Sequence, residues 1–279
     1  MSAHVRIAEL ADMLHGRSNP WKVLALMEAY FDESWIVPQG QRITALAGFI
    51  ATAATWRALE EDWIEAWKPY QDRYGIETFH MTDCAGGYGE FSNIETFFRL
   101  AIITSLSKVV ERHKVQSIWS AVIDEDWDAV VSDPQFLRRY RKPLDLCFDH
   151  VVRQMIGWMR RQDYTASVAP VFAEQDEYNP RMVEIYDAYH HHPEWSRFLR
   201  SMTFASPRGV KPLQAADMLA YGVALEQSDV EYPKQEKTIE NIGPRKFLIN
   251  LTGYRGLDVG GCFGARALKN ALKDFQSWR

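Results

Sequence analysis

The chain has 279 residues, 47% hydrophobic and 25% charged, a balance that excludes a disordered or fibrous protein. A chain of this length buries roughly 70–75% of its unfolded surface and folds without a disulfide or metal staple. The net charge of −5 excludes indiscriminate coating of nucleic acid and leaves room for a local basic groove.

No run reaches the roughly 18–20 apolar residues of a membrane-spanning helix, so no membrane partner is expected. The opening stretch MSAHVRIAELADMLHG carries acids and no long apolar core, unlike a secretory signal. Cys84, Cys147 and Cys262 are odd in number and form no C-x-x-C pair, which reads as reduced thiols and a cytoplasmic location.

In chain order, Ile7 to Leu14 reads as a short amphipathic helix stopped by Gly16 and Asn19-Pro20, within an N-terminal segment over residues 1–22. The run Val23 to Phe31 is apolar apart from Glu28 and leads into Asp32-Glu33-Ser34, the pattern of a buried strand ending in a turn. A second strand at Ile43 to Ala51 follows closely enough to close an antiparallel hairpin. Trp56, Leu59, Trp63 and Trp67, three or four apart, predict a helix from Thr55 to Tyr70. Ile76 to Phe91 reads as a short strand entering a Gly-rich loop, after which Ser92 or Asn93 caps a helix from Ile94 to Arg112.

A strand at Val115 to Ile123 ends at Asp124. One long helix is expected from Phe136 to Gln162, with Pro143 disturbing its early turns. The strand Ala166 to Ala173 ends at Glu174, and Pro170 within it argues against a central place in the ladder. Then come a helix at Pro180 to His190, a strand near Leu199 to Ala205, the helix Leu213 to Glu226 and a last helix from Arg266 to Trp278. The order predicts an α/β fold with a mixed sheet, antiparallel at one side and flanked by helices. Residues 23–227 form the main domain, and 228–279 an extension that packs on the core or on a second subunit of a homodimer.

Three predicted strands finish in an acid: Asp32, Asp124 and Glu174. Functional groups gather at strand ends in α/β sheets, yet Asp is also a common turn former, and both readings stay open for each. Asp217 is different, because it lies within the apolar helix sequence PLQAADMLAYGVAL. A carboxylate there is costly unless paired, metal-bound or turned to solvent; the alternative is a helix N-terminal role. If Asp32, Glu174 and Asp217 converge, their repulsion is resolved by Mg²⁺ or Mn²⁺, cations that favour carboxylate and water oxygens.

The stretch AYFDES, the strand ends SAVID and VFAEQ, and LQAADMLAY together resemble the DUF3800 family over residues 26–227. That family is similar in outline to the RNase H-like superfold, within which metal-dependent nucleases are common. The resemblance implies an RNase H-like mixed sheet and a metal-dependent nuclease acting on DNA or RNA. It carries Asp32, with Glu33 and Ser34 beside it, onto the first-strand acid, and Asp217 and Gln214 onto the helix acid and glutamine. Glu174 stands where relatives often have Asp. FHMTD resembles a His-containing segment of part of the family and makes His80 and Asp83 candidates. Trp35 departs from the Gly that often follows D-E-S, which implies a differently shaped site mouth. The alternative is a non-catalytic domain of the same fold that binds nucleic acid or protein.

Arg208 and Lys211, just before the LQAAD helix, are candidate substrate contacts, with Asp124 and Asp83 as reserve acids. Arg138, Arg139, Arg141 and Lys142, with Arg160 and Arg161 at the far end of the same predicted helix, either line a phosphate path or form a solvated face. His190-His191-His192 reads as a solvated helix end, because adjacent side chains diverge too much to chelate. Cys84 reads as a plain buried thiol.

Overall fold

The computed structural model of the chain describes residues 27–37, 42–164, 166–174, 179–231 and 259–277. The helix expected at Ile7 to Leu14 lies outside the described residues. Strand β1 (Met27–Ile36) pairs antiparallel with β2 (Ile43–Thr52) over its whole length, and β2 pairs antiparallel with β3 (Gln116–Ile123). On its other side β1 pairs in parallel with β4 (Val168–Ala173), which pairs in parallel with β5 (Thr203–Ala205). β6 (Val259–Phe263) pairs in parallel with β3, giving the six-stranded order β5-β4-β1-β2-β3-β6. The fold is therefore α/β with a mixed sheet flanked by helices.

Among the described strands only β2 runs against the others, and it lies inside the sheet. The antiparallel part falls there because β6 covers the outer edge of β3. Close passage of β1 requires a glycine at Gly48, where a Cβ would stand 1.9 Å from the Tyr30 carbonyl oxygen. Val168 O and Glu174 N both bond toward β5, so the intervening even residue Pro170 turns its missing donor the same way. There the ladder is interrupted between the isolated Leu199 bridge and Thr203. Proline is thereby tolerated one strand in from the edge.

Both faces of the sheet are covered, so its central strands read as apolar runs rather than as alternating ones. On one face lie α1 (Ala53–Tyr74), α2 (Met81–Gly86), α3 (Thr96–His113) and, later in the chain, α8 (Lys211–Glu231). Trp56, Trp63 and Trp67 of α1 are buried there with Tyr30. On the other lie α4 (Asp124–Val130), α5 (Pro134–Arg139), α6 (Pro143–Arg161), α7 (Asn179–His190) and α9 (Ala265–Ser277). Met27, Ala29 and Phe31 face this second layer, where Phe31 stacks on Phe172 at 5.1 Å.

Four expectations are corrected. The first strand does not stop before Asp32 but runs on to Ile36, because β2 continues to pair with Glu33 through Ile36. Residues 76–80 form no strand; the chain turns instead into α2, whose first N–H is held by a distant carboxylate described below. The long helix expected over 136–162 is two helices, parted where Pro143 opens α6 and Tyr140 and Lys142 leave the helical conformation. The helix after the glycine loop starts at Thr96 with Glu95 at its cap, not at Ser92 or Asn93.

β6 is docked through His150 of α6. Its Nδ1 lies 3.1 Å from Ser120 Oγ, its Nε2 lies 2.8 Å from the Gln154 side-chain nitrogen, and its ring meets Phe263 edge-on. Burial pushes the imidazole down to about 4, and the Arg153 charge works in the same direction while Asp149 opposes it. A base depressed in the fold contributes stability above its ordinary value near 6.5, and that stability is lost as pH falls toward about 4. Urea denaturation should show the wild type losing about 2 kcal/mol relative to His150→Asn as pH falls across that window, whatever the remaining groups contribute to both proteins alike.

Candidate functional site

The second half of β1, the end of β4 and the early turns of α8 meet toward one end of the sheet. Asp32 is 8% exposed and sits one residue beyond the last β1–β4 pair, Phe31 with Phe172. Its β2 side is fully paired, while pairing with β4 has stopped one residue earlier. α8 packs across β1 and β2 on the Tyr30 face, with Ala215, Ala216, Ala220 and Ala224 allowing close approach. This lays Asp217, 4% exposed, against the Asp32 side of β1.

The three nearest carboxyls feel one another. Burial, then Glu33 and Asp217, push the Asp32 carboxyl well above the usual carboxylate range. Burial and the Asp217 charge carry Glu33 to about 7, and the Glu33 N–H donates to Asp32 Oδ1 at 2.9 Å. Burial carries Asp217 to about 6, opposed by the nearby His80 and by the Met81 N–H, which donates to its Oδ2 at 2.7 Å. His80 caps α2 and stands half exposed, its Nδ1 3.0 Å from Asp83 Oδ2. Asp32, Glu33, Asp217, His80 and Asp83 are thus brought into one electrostatic neighbourhood.

α2 is fixed from behind by Arg99. Its guanidinium donates to the carbonyls of Cys84, Ala85 and Ile94 and to Thr96 Oγ1. Gly87 ends α2 at φ 70°, with the Arg99 guanidinium 3.0 Å from where a Cβ would stand. Both features demand glycine, the first for conformation and the second for space. Cys84 is buried in this support and its thiol is pushed up by burial to about 12, an inert packing group.

Other predicted residues are placed elsewhere. Glu174 is exposed, and its N–H donates to the Ala205 carbonyl. Continuing the β1–β4 register sets it level with Glu33 at the rim, on the side of Phe172 rather than of α8. Ser34 is buried on the Asp32 side of β1. Gln214 is fully buried, its amide nitrogen donating to the Pro207 carbonyl and its oxygen accepting from Trp63 Nε1. Lys211 is buried, and the Glu60 charge partly offsets the downward push of burial on its amine. Asp124 accepts from Thr44 Oγ1 at 2.7 Å and pairs with Arg42 at 3.2 Å, which makes it a structural acid at the end of β3. Arg208 alone among the predicted basic contacts is exposed near α8.

His191 bonds the Asp187 carbonyl and His192 stacks on Trp195, as suits the end of α7. A groove of about 910 Å³ lies between α1 and α3, lined by residues such as Tyr70, Phe97 and Lys108, apart from the carboxylates. Among the described residues no three His, Cys, Asp or Glu side chains stand close enough together to enclose an ion, and no helix is long and apolar enough to cross a membrane. No protein-family model matches the chain, and no curated protein matches it.

An acid whose value is raised in the fold contributes stability that is present at low pH and lost as pH rises through the raised value. For Glu33 and Asp217 the window runs from about 4 up to about 6–7. Without added cation, Asp217→Asn should therefore stabilise the protein at pH 8 by about 1–3 kcal/mol and change little at pH 4, read by urea denaturation.

Proposed function

We propose that the chain is a divalent-metal-dependent phosphodiesterase of RNase H-like architecture acting on DNA or RNA. The observation that carries this reading is the approach of buried Asp217 to buried Asp32 just past the last β1–β4 pair, with half-buried Glu33 next along the strand, where desolvation disfavours the ionised forms. Buried carboxylates are retained at such a cost where a cation or a proton is to be held. The mixed sheet, with acids on its first strand and on the helix laid across it, supports the RNase H-like resemblance.

The donor set suits the ion. Mg²⁺ is held by one or two carboxylates, with waters and substrate phosphates completing its shell, so a three-residue cage is not required. Asp32 and Asp217 would hold Mg²⁺ or Mn²⁺, with Glu33 beside them; the ion when bound supplies neutralisation of phosphoryl charge and an acidified water. The remaining work falls to the chain's own groups. Asp83 holds the His80 Nδ1, which leaves Nε2 to carry a proton to or from an oxygen at the pocket mouth. The Met81 N–H fixes one oxygen of Asp217 and so its orientation. Glu174 and Arg208 border the entrance.

Asp32→Asn or Asp217→Asn should lower Mn²⁺-dependent cleavage of labelled DNA or RNA by about a thousandfold or more while circular dichroism stays native. Excess EDTA should abolish the wild-type activity and added Mn²⁺ restore it. Cleavage that survives in either variant or in EDTA would overturn the reading, and binding without any turnover would favour the non-catalytic domain instead.

A further inference from the structure

A second cluster, in the other helical layer, is built around Asp149 of α6. This carboxylate is 2% exposed and accepts from Tyr140 at 3.0 Å, from Tyr189 at 2.7 Å and from Arg139 at 3.4 Å. Arg153 Nε lies 2.8 Å from Asp149 Oδ2, the oxygen that also accepts from Tyr140, and 2.6 Å from the Tyr189 hydroxyl. Arg139 Nε reaches the Tyr140 hydroxyl at 3.0 Å. Both phenols are held neutral, their values raised by burial and by Asp149. One buried negative charge therefore mounts two guanidinium groups, and one unit of positive charge is left over.

The two arginines are oriented but not hidden. Their side chains are 44% and 49% exposed. Among the described residues, Arg139 Nη1 and both Nη atoms of Arg153 make no hydrogen bond. A packing anchor for Asp149 needs one cation; the second, with outward N–H groups, is surplus to that task. Exposed Arg138 and Arg141 lie alongside, while Arg181 is bound to Asp145, Glu184 and the Arg139 carbonyl. A guanidinium held by a buried acid loses little freedom when an oxyanion binds its free edge.

Chain connectivity sets where this surface lies. α6 starts past the C-terminal end of β3 and finishes just before β4 begins, so its first turns stand at the sheet edge where β1 and β4 end. α7 starts shortly after Glu174 at that edge, and Arg181 meets Asp145 there. The basic surface and the carboxylates therefore share one end of the sheet, in opposite layers.

We propose that Arg139 and Arg153, mounted on Asp149, form a shelf for non-scissile phosphates of a nucleic-acid strand whose scissile phosphate lies at Asp32 and Asp217. The proposal rests on the nucleic-acid reading above and adds to it the path of the strand. Phosphate contacts of this kind fix position and register without reading bases.

The test measures fluorescence anisotropy of a labelled single-stranded DNA, and separately of an RNA, in the Asp217→Asn background so that cleavage does not intervene. Arg139→Gln with Arg153→Gln should weaken binding about tenfold and flatten the log–log salt slope by about 0.7 for each phosphate left unneutralised. Arg153→Lys keeps a cation on Asp149 but removes the outward fork, and should weaken binding several-fold with an unchanged melting temperature. Parent-like binding by folded Arg153→Lys, or absence of binding by the parent to both strands, overturns the shelf. Wild-type protein assayed with Mn²⁺ separates the two ideas: arginine-dependent binding without cleavage removes the nuclease reading and leaves the shelf, whereas cleavage that ignores both arginines removes the shelf alone.

Discussion

Concentrated negative charge, withdrawn from water where β1 meets α8, is the constraint around which the structure is arranged. Asp32 and Asp217 each lie within an apolar segment, and each is nearly covered. Alone, either acid would be a modest burden; Glu33 and Asp217 add to the proton affinity of Asp32, and Asp217 to that of Glu33. A fold that merely needed a stable sheet would place apolar side chains at these positions.

Much of the surrounding structure holds this junction in register. Trp63 and the Pro207 carbonyl grip the two ends of the Gln214 amide, which fixes the rotation of α8 one turn before Asp217. Arg99 binds the carbonyls at the end of α2, and the start of α2 presents the Met81 N–H to Asp217. Supporting groups of this kind restrict a functional side chain to one orientation. Gln214 is thus engaged at both ends of its amide within the fold. Lys211 and Asp124 are likewise absorbed by the fold, the one beside Glu60 and the other between Thr44 and Arg42.

The two helical layers divide the charge. Acids dominate where α8 crosses β1, while the starts of α6 and α7 carry arginines in excess around Asp149. A chain of net charge −5 can present a basic surface because its carboxylates there are buried and already satisfied. The positive edge that remains is rigid, since each guanidinium is fastened at its inner side.

Local pattern alone was sufficient for the β1–β2 hairpin, the tryptophan stripe of α1 and the anomaly of Asp217, because side-chain periodicity and the cost of a carboxylate in an apolar helix are properties of neighbouring residues. Pro143 likewise marked the break that parts α5 from α6. Only tertiary structure decided that β1 continues past Asp32, since β2 supplies those hydrogen bonds, and that Val259 to Phe263 joins the sheet at β3. The same holds for α2, whose first N–H is answered by Asp217, 136 positions away in sequence. Which acids gather, and which are tied up by an arginine or a threonine, depends on distances between residues far apart in the chain. No short window of sequence contains those distances, because charge interacts through space while periodicity runs along the backbone.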